Sequence, residues 1–207
     1  MVDGLSRHTL VTPSVSAWAA VMAARPDLAA EPLVAQWAAA RRPLITRRPV
    51  QGDAPGTIPL GLPLPPSHGK RRIALTLRPG EICDIRPPPQ LADAIGVAPA
   101  AWQNSIVRLL RLDRLTRVFG SLAWQHLTGL TYLSESSDLD LLWRRPTEAL
   151  LVGIAAIALD APMRIDGEIL GAAGGVQWRE LWHDDVLVKG PDGVRAMARE
   201  HFLAGAD

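Results

Sequence analysis

The sequence predicts an α/β (α+β) protein in two parts: a mixed sheet flanked by helices over residues 89–207, preceded by a smaller α/β domain over residues 1–88. Three observations lead there. Beyond residue 115, apolar runs that alternate like strands change places with runs of helical spacing, the order that builds a sheet covered by helices. The three successive prolines in RPPPQ, residues 86–90, break any regular element and mark a boundary. With 207 residues, 48% hydrophobic and 21% charged, the chain has the length and composition to bury a substantial core.

In the N-terminal part, Thr12 and Pro13 read as the N-cap and first position of a helix to about Ala24. A second helix is expected over 31–40. PLITRR at 43–48 and RIALTL at 72–77 alternate as strands do, with Ile73, Leu75 and Leu77 on one face. Between them, 49–70 is so dense in Pro and Gly that neither a continuous helix nor a central strand is expected, only an extended loop with local turns.

In the C-terminal part, 101–115 has helical spacing, with Trp102, Ile106, Leu109 and Leu110 on one side and Arg108, Arg111 and Arg114 on the other. TRVFG at 116–120 is a strand running into a glycine, SLAWQHL at 121–127 a helix, and DLDLLW at 138–143 a strand. A helix over 146–160 has Pro146 in its first turn. Strands at 163–170, 176–182 and 186–189 follow, then a closing helix after Pro191. GAAGG at 171–175 lacks the Lys-Ser/Thr of a Walker motif and reads as a hairpin loop. HDD at 183–185 reads as a hairpin turn.

Composition removes several function classes. A single cysteine, Cys83, excludes an internal disulfide framework and a multi-cysteine zinc site, and fits a reducing, cytoplasmic compartment. The longest apolar stretch, 149–159, falls short of the roughly 20 residues that cross a bilayer, so no membrane role is expected. The opening MVDGLSRHTLV, with Asp3 early and Arg7 and His8 behind it, lacks the order of a secretory signal. No nucleic-acid partner is expected either. The net charge of +1 conceals an asymmetry: residues 1–120 carry 15 Lys and Arg against 8 Asp and Glu, whereas 121–207 carry 7 against 13. Arginine forks suit phosphate and clustered carboxylates attract hard divalent cations, so a phosphate-bearing, metal-bound substrate would satisfy both.

The chemistry concentrates where a strand would otherwise want Val or Ile. Asp138 and Asp140 are two apart, so in a strand they share a face while Leu139 and Leu141 turn to the core. Such a pair repels itself unless a positive charge or a shared proton intervenes. Gly120 and Ser121 lie at the preceding strand-to-helix turn, where backbone N–H groups and the helix dipole suit a phosphate. MRIDGEIL supplies a third acid, Asp166 or Glu168, with Asp166 favoured, to complete a triad for two divalent cations. The combination points to a nucleotidyltransferase-type active site. Arg41, Arg42, Arg47, Arg48, Lys70, Arg71 and Arg72 could grip phosphates or face an acidic partner protein.

In its Gly-Ser, D-x-D and later acid, the chain resembles the polymerase-β-type nucleotidyltransferase superfamily. VFGSLAWQHLTGLTYLSESSDLDLLW, MRIDGEILGAAGGVQWREL, RHTL, RRPLITRRP and IPLGLPLPPSHGKRRIAL more narrowly resemble the malonate decarboxylase holo-acyl-carrier-protein synthases, or phosphoribosyl-dephospho-CoA transferases, over nearly the whole chain. The resemblance implies transfer of a prosthetic group from 2′-(5-triphosphoribosyl)-3′-dephospho-CoA to a serine of the acyl-carrier subunit of malonate decarboxylase, with release of diphosphate. It implies Mg²⁺ or Mn²⁺ on Asp138 and Asp140, a phosphate turn at Gly120 and Ser121, a catalytic domain over 89–207, and a substrate- or carrier-binding domain over 1–88. Transfer from ATP by a related active site, and a non-catalytic nucleotide-binding module, are the alternatives.

Overall fold

The computed structural model describes residues 5–144, 146–190 and 193–205. Asp3, used above against a secretory signal, and Pro191, used to place the closing helix, lie outside them. The chain divides into two compact units, Met1–Pro87 and Pro88–Asp207, with the division inside the triple-proline segment.

The first unit is an antiparallel sheet with helical segments between its first two strands. Its elements are β1 (Leu10–Pro13), α1 (Val15–Ala24), α2 (Pro26–Ala29), α3 (Pro32–Ala35), β2 (Leu44–Thr46), β3 (Ile58–Pro63), β4 (Arg72–Leu77) and β5 (Ile82–Arg86), with strand order β4-β3-β2-β1-β5. Thr12 and Pro13 do not begin the helix. They end β1, whose residues are all buried and which pairs with both β2 and β5, so sheet pairing outweighs the local cap signal. Ser14 is the N-cap instead, its Oγ accepting from Ala17 N at 3.1 Å. The helix expected over 31–40 shortens to α3, and the chain beyond it buries Trp37, whose indole N–H donates to Pro43 O at 3.0 Å.

The largest departure is β3, an interior strand inside a segment whose prolines argued against one. Pro59 and Pro63 both occupy positions whose polar backbone atoms face β2, since Pro59 O accepts from Arg47 N at 3.0 Å and backbone direction alternates along a strand. β2 is only three residues long and pairs with Leu60 and Gly61. Pro59 and Pro63 stand just past the two ends of β2, so at most the terminal bond to Arg47 is lost, while Ile58, Leu60 and Leu62 are buried on one face.

The second unit holds α4 (Leu91–Ala94), α5 (Gln103–Leu112), β6 (Arg117–Val118), α6 (Gly120–Thr128), β7 (Leu139–Trp143), α7 (Glu148–Ala158), β8 (Ile165–Gly171), β9 (Gly174–Gln177), β10 (Asp185–Gly190), β11 (Gly193–Ala198) and α8 (Arg199–Ala204). Its sheet has the order β11-β10-β9-β8-β7-β6, with β7 and β8 parallel and the other described pairs antiparallel. The crossover between the parallel strands is α7, capped by Thr147, whose side chain accepts from Leu150 N at 3.1 Å; Pro146 thus precedes the cap rather than standing in the first turn. Leu139, Leu141, Ile165, Ile169, Val186 and Val188 form one core with Ile106 and Leu109 of α5 and Leu151, Ile154 and Ile157 of α7.

Other expectations shift for similar reasons. α5 stops at Leu112, and Leu115 lies outside it, 73% exposed. Of 176–182, only Val176 and Gln177 are strand; Trp178–Trp182 is a 3-10 helix, a choice that buries Trp178 and Leu181, three residues apart. His183–Asp185 therefore follows that helix rather than forming a hairpin turn. β11 pairs with β10 from Gly190↔Gly193 to Asp185↔Ala198 before the chain turns helical, so a strand precedes the closing helix. Gly171↔Gly174 closes the β8–β9 hairpin at GAAGG.

Candidate active site

β7 enters the sheet with Leu139 and Leu141 fully buried, and this fixes the opposite face for Asp138 and Asp140. Asp138 stands just before the strand with its side chain 35% exposed. On one side, β6 delivers the chain to α6. Phe119 N donates to Asp140 O at 3.0 Å, and Gly120 opens the helix with φ +63°. Here only glycine fits. A Cβ would lie 1.8 Å from Asp140 Oδ2 and 2.7 Å from its Cγ. The carboxylate thus packs directly on the backbone at the start of α6, at the positive end of the helix dipole. Ser121 follows, partly exposed in the first turn.

On the other side lies β8. Its parallel register sets Leu139 opposite Ile165 and Asp140 opposite Asp166, so Asp166 falls in the same row as Asp140. Asp166 is 28% exposed. Its Oδ1 accepts from Gly167 N at 2.9 Å and from Gln177 Nε2 at 3.0 Å, while Gln177 Oε1 accepts from Arg179 N at 2.6 Å. Oδ2 faces Arg164, whose Nη2 is 3.3 Å away and whose Nη1 is 3.8 Å from Asp138 Oδ2. Glu168, the other candidate acid, sits one row further on, opposite Leu142. Its side chain is only 9% exposed, with Lys189 Nζ at 3.5 Å and Gly175 so close that a Cβ there would lie 2.9 Å from Oε2. The geometry groups Asp166, not Glu168, with the D-x-D pair.

Three carboxylates on one face offer the hard oxygen donors that suit Mg²⁺ or Mn²⁺. Their side chains are not closed around a common point: among the described residues no group of three or more His, Cys, Asp or Glu is placed to hold a metal ion. The Arg164 guanidinium stands between Asp138 and Asp166 instead. The donor set fits a divalent cation in chemistry, with an arginine between two of its three carboxylates.

The basic residues expected to bind substrate lie in the first unit, and they differ. Arg47 is committed to the fold. Nε donates to Leu60 O at 3.1 Å, Nη1 to Arg48 O at 2.9 Å and Asp53 Oδ2 at 2.8 Å, and Nη2 to Asp53 Oδ1 at 2.5 Å and Leu75 O at 3.5 Å. A guanidinium has five N–H donors, so none is left for a phosphate. Arg71 is ion-paired with Glu31. Arg48 is half-buried; Lys70, at φ +52°, and Arg72, at the start of β4, are exposed. Arg164 and Gln177 are the site residues that motif reasoning missed. The signal for both was positional: Arg164 lies two residues before Asp166, and Gln177 ends the neighbouring strand opposite Glu168.

Two sheets, each accompanied by helices, and an acidic strand face beside a glycine-opened helix define an α+β protein with a candidate active site. Residues 90–200 match the family model described as the phosphoribosyl-dephospho-CoA transferase MdcG C-terminal domain, and residues 6–88 the corresponding N-terminal domain. Phosphoribosyl-dephospho-CoA transferases from Bradyrhizobium diazoefficiens and Xanthomonas euvesicatoria pv. vesicatoria are 43% and 38% identical over 211 and 205 residues. The first alignment covers 97% of this chain and 93% of the relative, the second 93% and 94%. No solved structure matches. The chain belongs to the phosphoribosyl-dephospho-CoA transferase family and is a transferase.

Proposed function

We propose that the chain transfers the phosphoribosyl-dephospho-CoA group from 2′-(5-triphosphoribosyl)-3′-dephospho-CoA to a serine of the acyl-carrier subunit of malonate decarboxylase. The carrier serine oxygen forms a bond to the phosphorus next to the ribose, the bond from that phosphorus to the diphosphate oxygen breaks, and the serine proton leaves to solvent or a neighbouring carboxylate. The observation that supports this reading is the row formed by Asp140 and Asp166 beside the first turn of α6, carboxylate oxygens suited to a cation next to backbone N–H groups suited to a phosphate.

Each group has a part. Asp138, Asp140 and Asp166 hold the cation, and Gly120 and Ser121 receive a phosphate at the helix start. When bound, Mg²⁺ or Mn²⁺ would lower the charge on the phosphates and favour the attacking hydroxyl. Phosphoryl transfer needs positioning and charge neutralisation more than covalent help from the protein. In the first unit, Arg48, Lys70, Arg71 and Arg72 are the proposed contacts for coenzyme phosphates or for the carrier protein. No described helix is long and apolar enough to cross a membrane. The single cysteine fits a reducing compartment, and on that ground the reaction is proposed to be cytoplasmic, with no nucleic-acid partner.

Intact-protein mass spectrometry tests the reading. Apo carrier subunit is incubated with Mg²⁺ and either the triphosphoribosyl precursor or ATP, with wild type and Asp138→Ala. A mass gain of the prosthetic group, seen with the precursor and lost in the variant, is the expected result. A gain with ATP alone would replace the substrate assignment, and no gain with either would overturn transfer.

A further inference from the structure

Between two of the acidic residues, Asp138 and Asp166, stands a cation that no motif supplied. Arg164 immediately precedes β8, and its carbonyl accepts from Leu139 N at 2.9 Å, which fixes its backbone beside Asp138. One guanidinium nitrogen reaches Asp138 and the other reaches Asp166, so a single side chain spans both carboxylates. The side chain is 60% exposed, and among the described residues Asp166 is its one hydrogen-bond acceptor. An ion pair so exposed is weak and easily exchanged. A guanidinium keeps its charge at any physiological pH, and its fork matches phosphate oxygens once it has left the carboxylates.

We propose that Arg164 is a built-in counter-ion: it neutralises Asp138 and Asp166 while no divalent cation is bound, is displaced when the cation enters, and then binds phosphate oxygens of the substrate, including the departing diphosphate. The inference rests on the assignment of Asp138, Asp140 and Asp166 as cation ligands. It explains how the like charges of Asp138 and Asp166 are tolerated side by side. It also gives one residue two successive partners, which couples cation binding to phosphate binding.

The test measures binding, not turnover. Mn²⁺ affinity is measured by titration calorimetry for wild type, Arg164→Gln and Arg164→Lys, and inorganic diphosphate affinity is measured at saturating Mn²⁺. Arg164→Gln removes the competitor, so Mn²⁺ should bind up to about fivefold tighter, the upper range for an exposed ion pair. Diphosphate should bind at least about tenfold weaker, as expected for loss of a charged hydrogen bond. Arg164→Lys keeps the charge without the fork, so Mn²⁺ affinity should stay near wild type while diphosphate weakens; it also serves if the Gln variant fails to fold. Mn²⁺ binding unchanged between wild type and Arg164→Gln, with diphosphate affinity also unchanged, overturns the role of Arg164 and leaves the carboxylate site standing. No Mn²⁺ binding in any of the three proteins overturns the carboxylate site itself and the counter-ion with it.

Discussion

The Asp140 carboxylate lies against Gly120 so closely that the glycine has no room for a Cβ, with Oδ2 1.8 Å from where that atom would stand. Backbone conformation and active-site chemistry therefore make the same demand at residue 120. Gly120→Ala should place an alanine at φ +63°, at a cost of about 1–2 kcal/mol, and push the carboxylate aside as well. Displacing a reacting group by about 1 Å can lower the rate on the order of a hundredfold. Prosthetic-group transfer, followed by mass spectrometry, should fall by about that factor while circular dichroism still reports a folded protein.

Asp166 and Glu168 separate cleanly by environment. Asp166→Asn should reduce transfer by about 10²–10³-fold, the range for losing one preorganised electrostatic contact. Glu168→Gln should change the rate only a few-fold but lower stability by about 1–2 kcal/mol, because Lys189 loses its partner. Rates and denaturant midpoints measured on both variants decide it. The reverse pattern would make Glu168 the third acid.

Gln177 holds Asp166 by its amide N–H and accepts from Arg179 N. Gln177→Leu leaves Oδ1 with the Gly167 N–H alone. Partners of this kind typically contribute 10–100-fold in affinity or activity. The expected outcome is about a tenfold drop in kcat with KM little changed. A purely structural role would lower the melting temperature and leave kcat alone.

Asp53 accepts from both terminal nitrogens of Arg47 and from Val50 N at 2.8 Å. The Arg47 guanidinium, followed by the Val50 N–H, holds its carboxyl below the usual carboxylate range. An unfolded Asp53 takes up its proton at about pH 3.9 and the folded one only at lower pH, so the stabilisation is complete above about pH 4 and is lost as pH falls through the folded value. Asp53→Asn should flatten part of that acid limb in melting curves taken from pH 6 downward. At neutral pH the variant should melt lower than wild type, without any change in affinity for phosphate.

Where side-chain period alone decides an element, the sequence was readable. β7 announced itself by Leu139 and Leu141 alternating with two aspartates, and β4 by Ile73, Leu75 and Leu77. The Gly120 turn was readable because a strand and a helix meet there. β3 was hidden because prolines forbid a strand only where the ladder needs their N–H, and β2's length of three residues is a tertiary fact. β1 was hidden behind a good cap signal, since burial on both sides of a strand leaves no local mark. Arg47 looked like its basic neighbours, and only the partner Asp53 and three carbonyls distinguish it. Arg164 and Gln177 take their meaning from strands 26 and 37 residues downstream of Asp138 and Asp140, which no short motif spans.

The one parallel pairing described in the second sheet carries a consequence for the order of assembly. Asp140 and Asp166 become neighbours only after the chain has left β7, formed α7 and returned as β8. Such non-local pairings close late, after the entropy of the intervening loop has been overcome. A nascent chain that has emerged only as far as the D-x-D motif has the letters of the site without its electrostatics. If these carboxylates hold a cation as proposed, its affinity would double as a report that the crossover has locked and the sheet has finished folding.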